Sequence, residues 1–161
     1  MFGSIFSFPH PVNEYAARVV AGCVLLLSIL LAFTMSLPVA VFLFYGFLAR
    51  VLAGPTLSPI GQIATKLVVP LIIKRDKPVA GPPKRFAQAV GLMVSGLALI
   101  FILTEQSDIS RILYIVLAVF AAAESIVGFC AGCRMFALLM KMGLIPEDVC
   151  EACNNLNFTQ S

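Results

Sequence analysis

Charge is what this sequence has least of. Eleven basic and eight acidic side chains among 161 residues make it 12% charged and 60% apolar, about half the charge a soluble domain carries. A chain this short exposes much surface for its volume, so 19 charges cannot cover it in water while the apolar majority hides. That excludes an ordinary soluble domain. The same apolar excess excludes disorder, and a net charge of +3 without a basic helix interleaved with aromatics excludes nucleic-acid binding. Residues 1–15 hold no basic n-region and no small-residue cleavage site ahead of the first apolar run, so no signal peptide is expected. No internal repeat of useful strength is present. What is left is a chain whose main solvent is lipid, with room for about four spans of about 20 residues each.

The apolar runs predict an all-α, polytopic membrane bundle with four transmembrane helices over residues 16–34, 37–53, 86–103 and 111–139. Only Met35 and Ser36 separate the first two, which implies a tight antiparallel hairpin, with Arg50 snorkelling at the end of the second. Residues 54–85 form the one substantial loop, punctuated by Gly54-Pro55, Pro59, Pro70, Pro78 and Gly81-Pro82-Pro83, and six of the eleven basic residues lie there. Within it Ile60, Ile63, Ala64, Leu67 and Leu71 recur at helical spacing opposite Gln62 and Lys66, which predicts a short interfacial helix; a re-entrant segment is the competing reading. A short C-terminal helix is expected in the tail, residues 143–161, beginning at Pro146 and followed by Glu147 and Asp148. Threading four spans puts ten of the eleven cations on one side and Arg111 alone on the other. The positive-inside rule then makes both termini and the long loop cytoplasmic, with Glu105 and Asp108 facing outward. The basic loop is expected to face anionic lipid.

Five cysteines are present, and four of them form two C-x-x-C pairs, Cys130/Cys133 and Cys150/Cys153. On the topology above all five fall on the cytoplasmic half, where structural disulfides are disfavoured, leaving redox chemistry, sulfur transfer or metal binding. Cysteines three apart on a helix share a face, so Cys130 and Cys133 can close a disulfide or hold one soft cation. Arg134 beside them favours a thiolate, whereas apolar surroundings oppose it. The acids flanking Cys150 disfavour its thiolate, so the membrane pair is the better nucleophile. The spacing C-x2-C-x16-C-x2-C also fits a zinc site of four thiolates, provided the chain folds back at Gly143. Cys23 reads as ordinary packing.

Glu124 lies within the fourth span, where a carboxylate is costly unless protonated or paired, and intramembrane ionisable groups mark function by default. On a continuous helix it would sit about 120° around from Cys130, with Ser95, Tyr45 or a backbone carbonyl as its expected partner. Gly128 and Gly132 form a GxxxG, a close-packing face that also lets a partner backbone or planar ring approach the sulfurs.

The segments FLARVLAGPTLSPIGQIA (Phe47 to Ala64), PPKRFAQAVGL (Pro82 to Leu92) and GFCAGCRMFALL (Gly128 to Leu139) resemble the bacterial membrane family known as domain of unknown function 4395. The resemblance reaches to about residue 142 and rests most on the GFCxGC element. It implies a small four-helix protein of the bacterial inner membrane that keeps company with thioredoxin-like or rhodanese-like proteins; Cys150/Cys153 lie beyond it. Three functions then compete. The first is a thiol-disulfide or persulfide relay, in which Cys130/Cys133 exchange with Cys150/Cys153 and a soluble partner. Its layout is similar to quinone-coupled disulfide-forming membrane enzymes, but those work on the outer face, so quinone is a sub-option here. The second is zinc or another soft metal held by the four cysteines, structurally or in transport. The third is a structural subunit of a larger complex, and self-association stays open.

Overall fold

The computed structural model describes residues 11–146. The protein is an all-α bundle whose four long apolar helices are each sufficient to cross a membrane. The first, α1 (Glu14–Thr34), starts where Asn13 accepts a hydrogen bond from the Tyr15 N–H at 2.9 Å, and stops where Met35 turns to φ 48°. Helix α2 (Leu37–Ala53) follows after two residues, with Pro38 in its first turn. A turn of 3-10 helix (Gly54–Thr56) leads to α3 (Pro59–Ile63), capped by Ser58 and continuing as a π-helical stretch over Ala64–Ile73. Pro70 lies inside that stretch and has no N–H to give, and the wider π turn ends with the Lys74 N–H on the Val69 carbonyl at 2.7 Å. A two-residue antiparallel pair, β1 (Val12–Asn13) with β2 (Pro78–Val79), ties the start of α1 to the end of the loop.

Helix α4 (Gly81–Leu103) begins five residues before its predicted start, because Pro82 and Pro83 occupy the first turn, where a missing N–H costs nothing. Helix α5 (Ser107–Ala122) runs on as a π turn over Ala123–Val127. There the predicted fourth span over 111–139 is corrected. Gly128 adopts φ 77° and ends it, and a separate amphipathic helix, α6 (Ala131–Lys141), follows. At a rise of about 1.5 Å per residue α6 is far too short to span a bilayer. The predicted C-terminal helix, Cys150 and Cys153 lie outside the described residues.

Helix α1 packs mainly on α5, α5 on α4 and α4 on α2, while α3 wedges against α1 at the basic end. The expected α1–α2 hairpin is therefore close in sequence but thin in contact. Many helix contacts are made by small side chains, set beside the buried Tyr114, Leu31 and Leu43: Ser28, Ser95, Ser110, Ala40 and Ala98 have no exposed surface, and the Ser110 hydroxyl donates to the Ala98 carbonyl at 2.9 Å. Large apolar groups face outward, Phe33 at 83% exposure and Ile126 at 71%. Small residues inside and large apolar residues outside is the arrangement a bilayer demands, since lipid leaves close packing rather than water exclusion to hold helices together.

Candidate functional site

The chain between α5 and α6 is built around a reversal at Gly128. Its N–H donates to the Glu124 carbonyl and that of Phe129 to the Ala123 carbonyl, both at 3.1 Å, closing the end of α5. Arg18 of α1 completes the closure, donating from Nε to the Ser125 carbonyl at 3.1 Å and from Nη2 to that of Ile126 at 2.7 Å. A guanidinium on the last carbonyls of a helix satisfies acceptors that have no intrahelical partner and opposes the negative end of the dipole.

Two residues on, Cys130 is extended (φ −95°, ψ 102°) and serves as the N-cap of α6, its Sγ accepting from the Cys133 N–H at 3.2 Å. Cys130 and Cys133 are joined by a disulfide with Cα atoms 5.2 Å apart. The pair is thus at a helix N-terminus and not, as expected, inside an apolar helix. The three-residue spacing still unites the sulfurs, because an N-cap and the third helical residue face each other. Their exposures differ: Cys130 is 8% exposed, whereas Cys133 is half-buried. Helix α6 is held down by Gly132, Phe136 and Met140, one stripe at four-residue spacing. Phe136 meets the Phe86 ring at 5.7 Å, and a Cβ on Gly132 would fall 2.6 Å from the Ala87 Cα. The GxxxG therefore divides its work, Gly128 making the turn and Gly132 the close contact.

Arg134 is exposed next to the pair, its guanidinium 5.5 Å from the centre of the Phe129 ring. The expected partners of Glu124 are corrected. Ser95 donates to the Leu92 carbonyl and Tyr45 to that of Leu57, whereas Glu124 forms an ion pair with Lys84 of α4 at 2.6 Å. Arg50 does not snorkel either. It is 4% exposed, donating from Nε to the Gln88 Oε1 at 2.8 Å and from Nη1 to the Ser58 hydroxyl at 3.2 Å, with its guanidinium over the Phe47 ring; Nη2 has no hydrogen-bond partner. The cause is α3, whose capping Ser58 is folded back against the end of α2.

A cavity of about 220 Å³ lies between α1, α4 and α5 and reaches the start of α6, with Cys130, Gln88 and Glu124 in an otherwise apolar wall. Glu124 and Cys130 thus share a cavity, which the straight-helix reading did not allow. Cys23 is a free, half-buried thiol in α1. Among the described residues no three His, Cys, Asp or Glu side chains gather as a metal site. A site of four thiolates needs Cys150 and Cys153, outside that range. Sequence reading missed Lys84, Gln88 and Arg18; the first two were legible as part of a stripe, Lys84, Gln88, Gly91, Ser95 and Ala98, at helical spacing along α4.

The family described as Domain of unknown function (DUF4395) matches residues 12–141, so the chain belongs to it. No curated protein and no solved structure matches the chain significantly.

Proposed function

We propose that this member of the domain of unknown function 4395 family is a membrane-embedded thiol-disulfide exchange protein whose working pair is Cys130–Cys133. The observation that carries the reading is the placement of that disulfide at the N-terminus of α6, with one sulfur buried and capping and the other reachable. A partner thiolate attacks Cys133 Sγ; the disulfide breaks and its electron pair passes to Cys130 Sγ, where the helix N–H groups favour negative charge. The partner's second thiolate then attacks its own sulfur in the mixed disulfide and releases Cys133. The partner leaves oxidised by two electrons, and the Cys130/Cys133 pair carries the two protons.

The partner is a soluble protein of the thioredoxin-like or rhodanese-like kind, and Cys150/Cys153 are the second pair of the relay. The one-sided distribution of cations supports a place in the bacterial inner membrane with both termini, and therefore the pair, at the cytoplasmic face. Substitution tests the order of events. Cys130→Ser leaves Cys133 without its resolving neighbour, and with a small thioredoxin-like protein reduced to its attacking cysteine and activated as a mixed disulfide with thionitrobenzoate, Cys133 displaces the thionitrobenzoate and a covalent complex accumulates, seen on a non-reducing gel. Cys133→Ser accumulates far less. Equal trapping by both variants, or none by either, contradicts the reading; stoichiometric zinc lost together with the fold favours the four-cysteine metal site instead.

A further inference from the structure

An exchange protein that oxidises one partner after another must itself be re-oxidised, and its buried sulfur faces not water but the cavity. We propose, on the reading above, that this cavity holds the ring of a lipid-soluble quinone, which takes the two electrons from Cys130/Cys133. Four observations converge on that occupant. A cavity of about 150 Å³ accommodates a benzene ring, so 220 Å³ has room for a substituted six-membered ring. Its lining includes Val116, Phe120 and Met135, all exposed on the lipid side of the bundle, which gives a carrier dissolved in the bilayer a way in. Gln88 uses Oε1 to hold Arg50, which leaves its amide N–H groups as donors at the cavity wall, suited to a quinone carbonyl. Finally, the wall residues Gln88 and Glu124 each hold a buried cation behind them, Arg50 at 2.8 Å and Lys84 at 2.6 Å, two positive charges against one negative, and the Arg50 Nη2 is buried without a partner. A ring that becomes anionic as it accepts electrons is favoured there; a neutral lipid tail gains nothing from either feature.

The step balances within the pair and the ring. In the reduced protein the Cys130 thiolate bonds to a ring carbon and pushes an electron pair onto a carbonyl oxygen. The Cys133 thiolate then attacks Cys130 Sγ; the disulfide forms, the sulfur–carbon bond breaks and its electron pair stays on the ring. The two protons from the thiols complete the quinol, which leaves toward the bilayer.

The test uses the full-length protein, reduced and reconstituted in liposomes, with ubiquinone-1 as the probe and oxidised glutathione as an aqueous reference oxidant. Thiol loss at Cys130/Cys133 and quinol absorbance are followed together. The expected result is one quinol formed for each pair oxidised. Val94→Phe, which fills the cavity away from the sulfurs, and Gln88→Leu, which removes the donor, should each slow the quinone reaction by about tenfold or more relative to the glutathione reaction, since a packed cavity admits no added ring. A variant that has lost its fold reveals itself by a lost helical circular-dichroism signal and a changed glutathione rate, and the other variant then decides. No quinone-dependent thiol loss overturns the proposal while leaving thiol-disulfide exchange intact if glutathione still reacts; quinone oxidation undiminished in both variants also overturns it, because the ring then reacts from outside the cavity. Failure of both oxidants in the wild type removes the exchange reading itself.

Discussion

The Lys84 ammonium lies 2.6 Å from a Glu124 carboxylate oxygen, with the two side chains only 10% and 15% exposed, and this pair fastens α4 to the end of α5 beside the cavity that reaches Cys130. Either charge alone would be expensive at that depth. Together they neutralise each other and fix the turn from which the cysteine pair is presented. Stability therefore depends on the pair being complete or absent. Glu124→Gln or Lys84→Met alone should cost about 3–5 kcal/mol, by stranding one buried charge, and Lys84→Met combined with Glu124→Leu should recover most of that. Thermal unfolding in detergent reads all three; a double variant as unstable as both singles combined contradicts the assignment.

Gly128 is the hinge on which the site depends. At φ 77° an L side chain is strained by about 1–2 kcal/mol. Gly128→Ala should lower stability by about that amount and, by shifting the cap, change the alkylation rate of reduced Cys130. Gly143→Ala is the control, since it has φ 73° with nothing within 4 Å and lies past the end of α6: it should carry similar strain without altering Cys130 reactivity. Equal effects of both on Cys130 would contradict a hinge role for Gly128.

Helix α6 is docked chiefly by one side chain. Phe136 is 5% exposed among Ala80, Phe86, Met140 and Ile145. Phe136→Ala should cost about 3 kcal/mol of docking and raise hydrogen exchange across the amides of α6 while leaving α1 and α4 protected. Unchanged exchange in α6 would show that the disulfide and Gly132 suffice to hold it.

The spans were legible because lipid imposes a simple code: about twenty apolar residues, small ones at contacts, cations on one side. The meeting of the two GFCAGC sulfurs was legible for a similar reason, since two thiols at that spacing meet whether they begin a helix or lie within one. What could not be read was the break between them and the span. The run from Ile112 to Leu139 is mostly apolar, interrupted only by Glu124, Ser125 and Arg134, and the glycine that makes the break, Gly128, reads equally well as a packing residue because glycine serves both purposes. That single turn moved Cys130 to a helix N-terminus and brought it into one cavity with Glu124. Arg50 was misplaced by a related cause. A basic residue near a span end ordinarily reaches for the interface, and only the folding back of Ser58 and the pairing with Gln88 show why this one stays inside.

Arg18 links the first span to the last. Because it supplies donors to the carbonyls of Ser125 and Ile126, Arg18→Met should expose those acceptors and lower stability by about 1–3 kcal/mol. Arg18→Lys should recover only part of this loss, since an ammonium lacks the planar fork that reaches both carbonyls. Full rescue by lysine would mean that charge, rather than directed hydrogen bonding, closes the turn.

The central claim is that Cys130 and Cys133 interconvert between dithiol and disulfide. Membranes containing the protein are equilibrated in a graded series of reduced and oxidised dithiothreitol, quenched by alkylation and digested with trypsin. The peptide from Ile112 to Arg134 carries these two cysteines and no others. Its mass should pass from no added label to two labels through one reversible two-electron transition, following the same curve from either direction. A peptide that takes up two labels across the whole series, or one whose thiols become reactive only when zinc is stripped, would contradict the account.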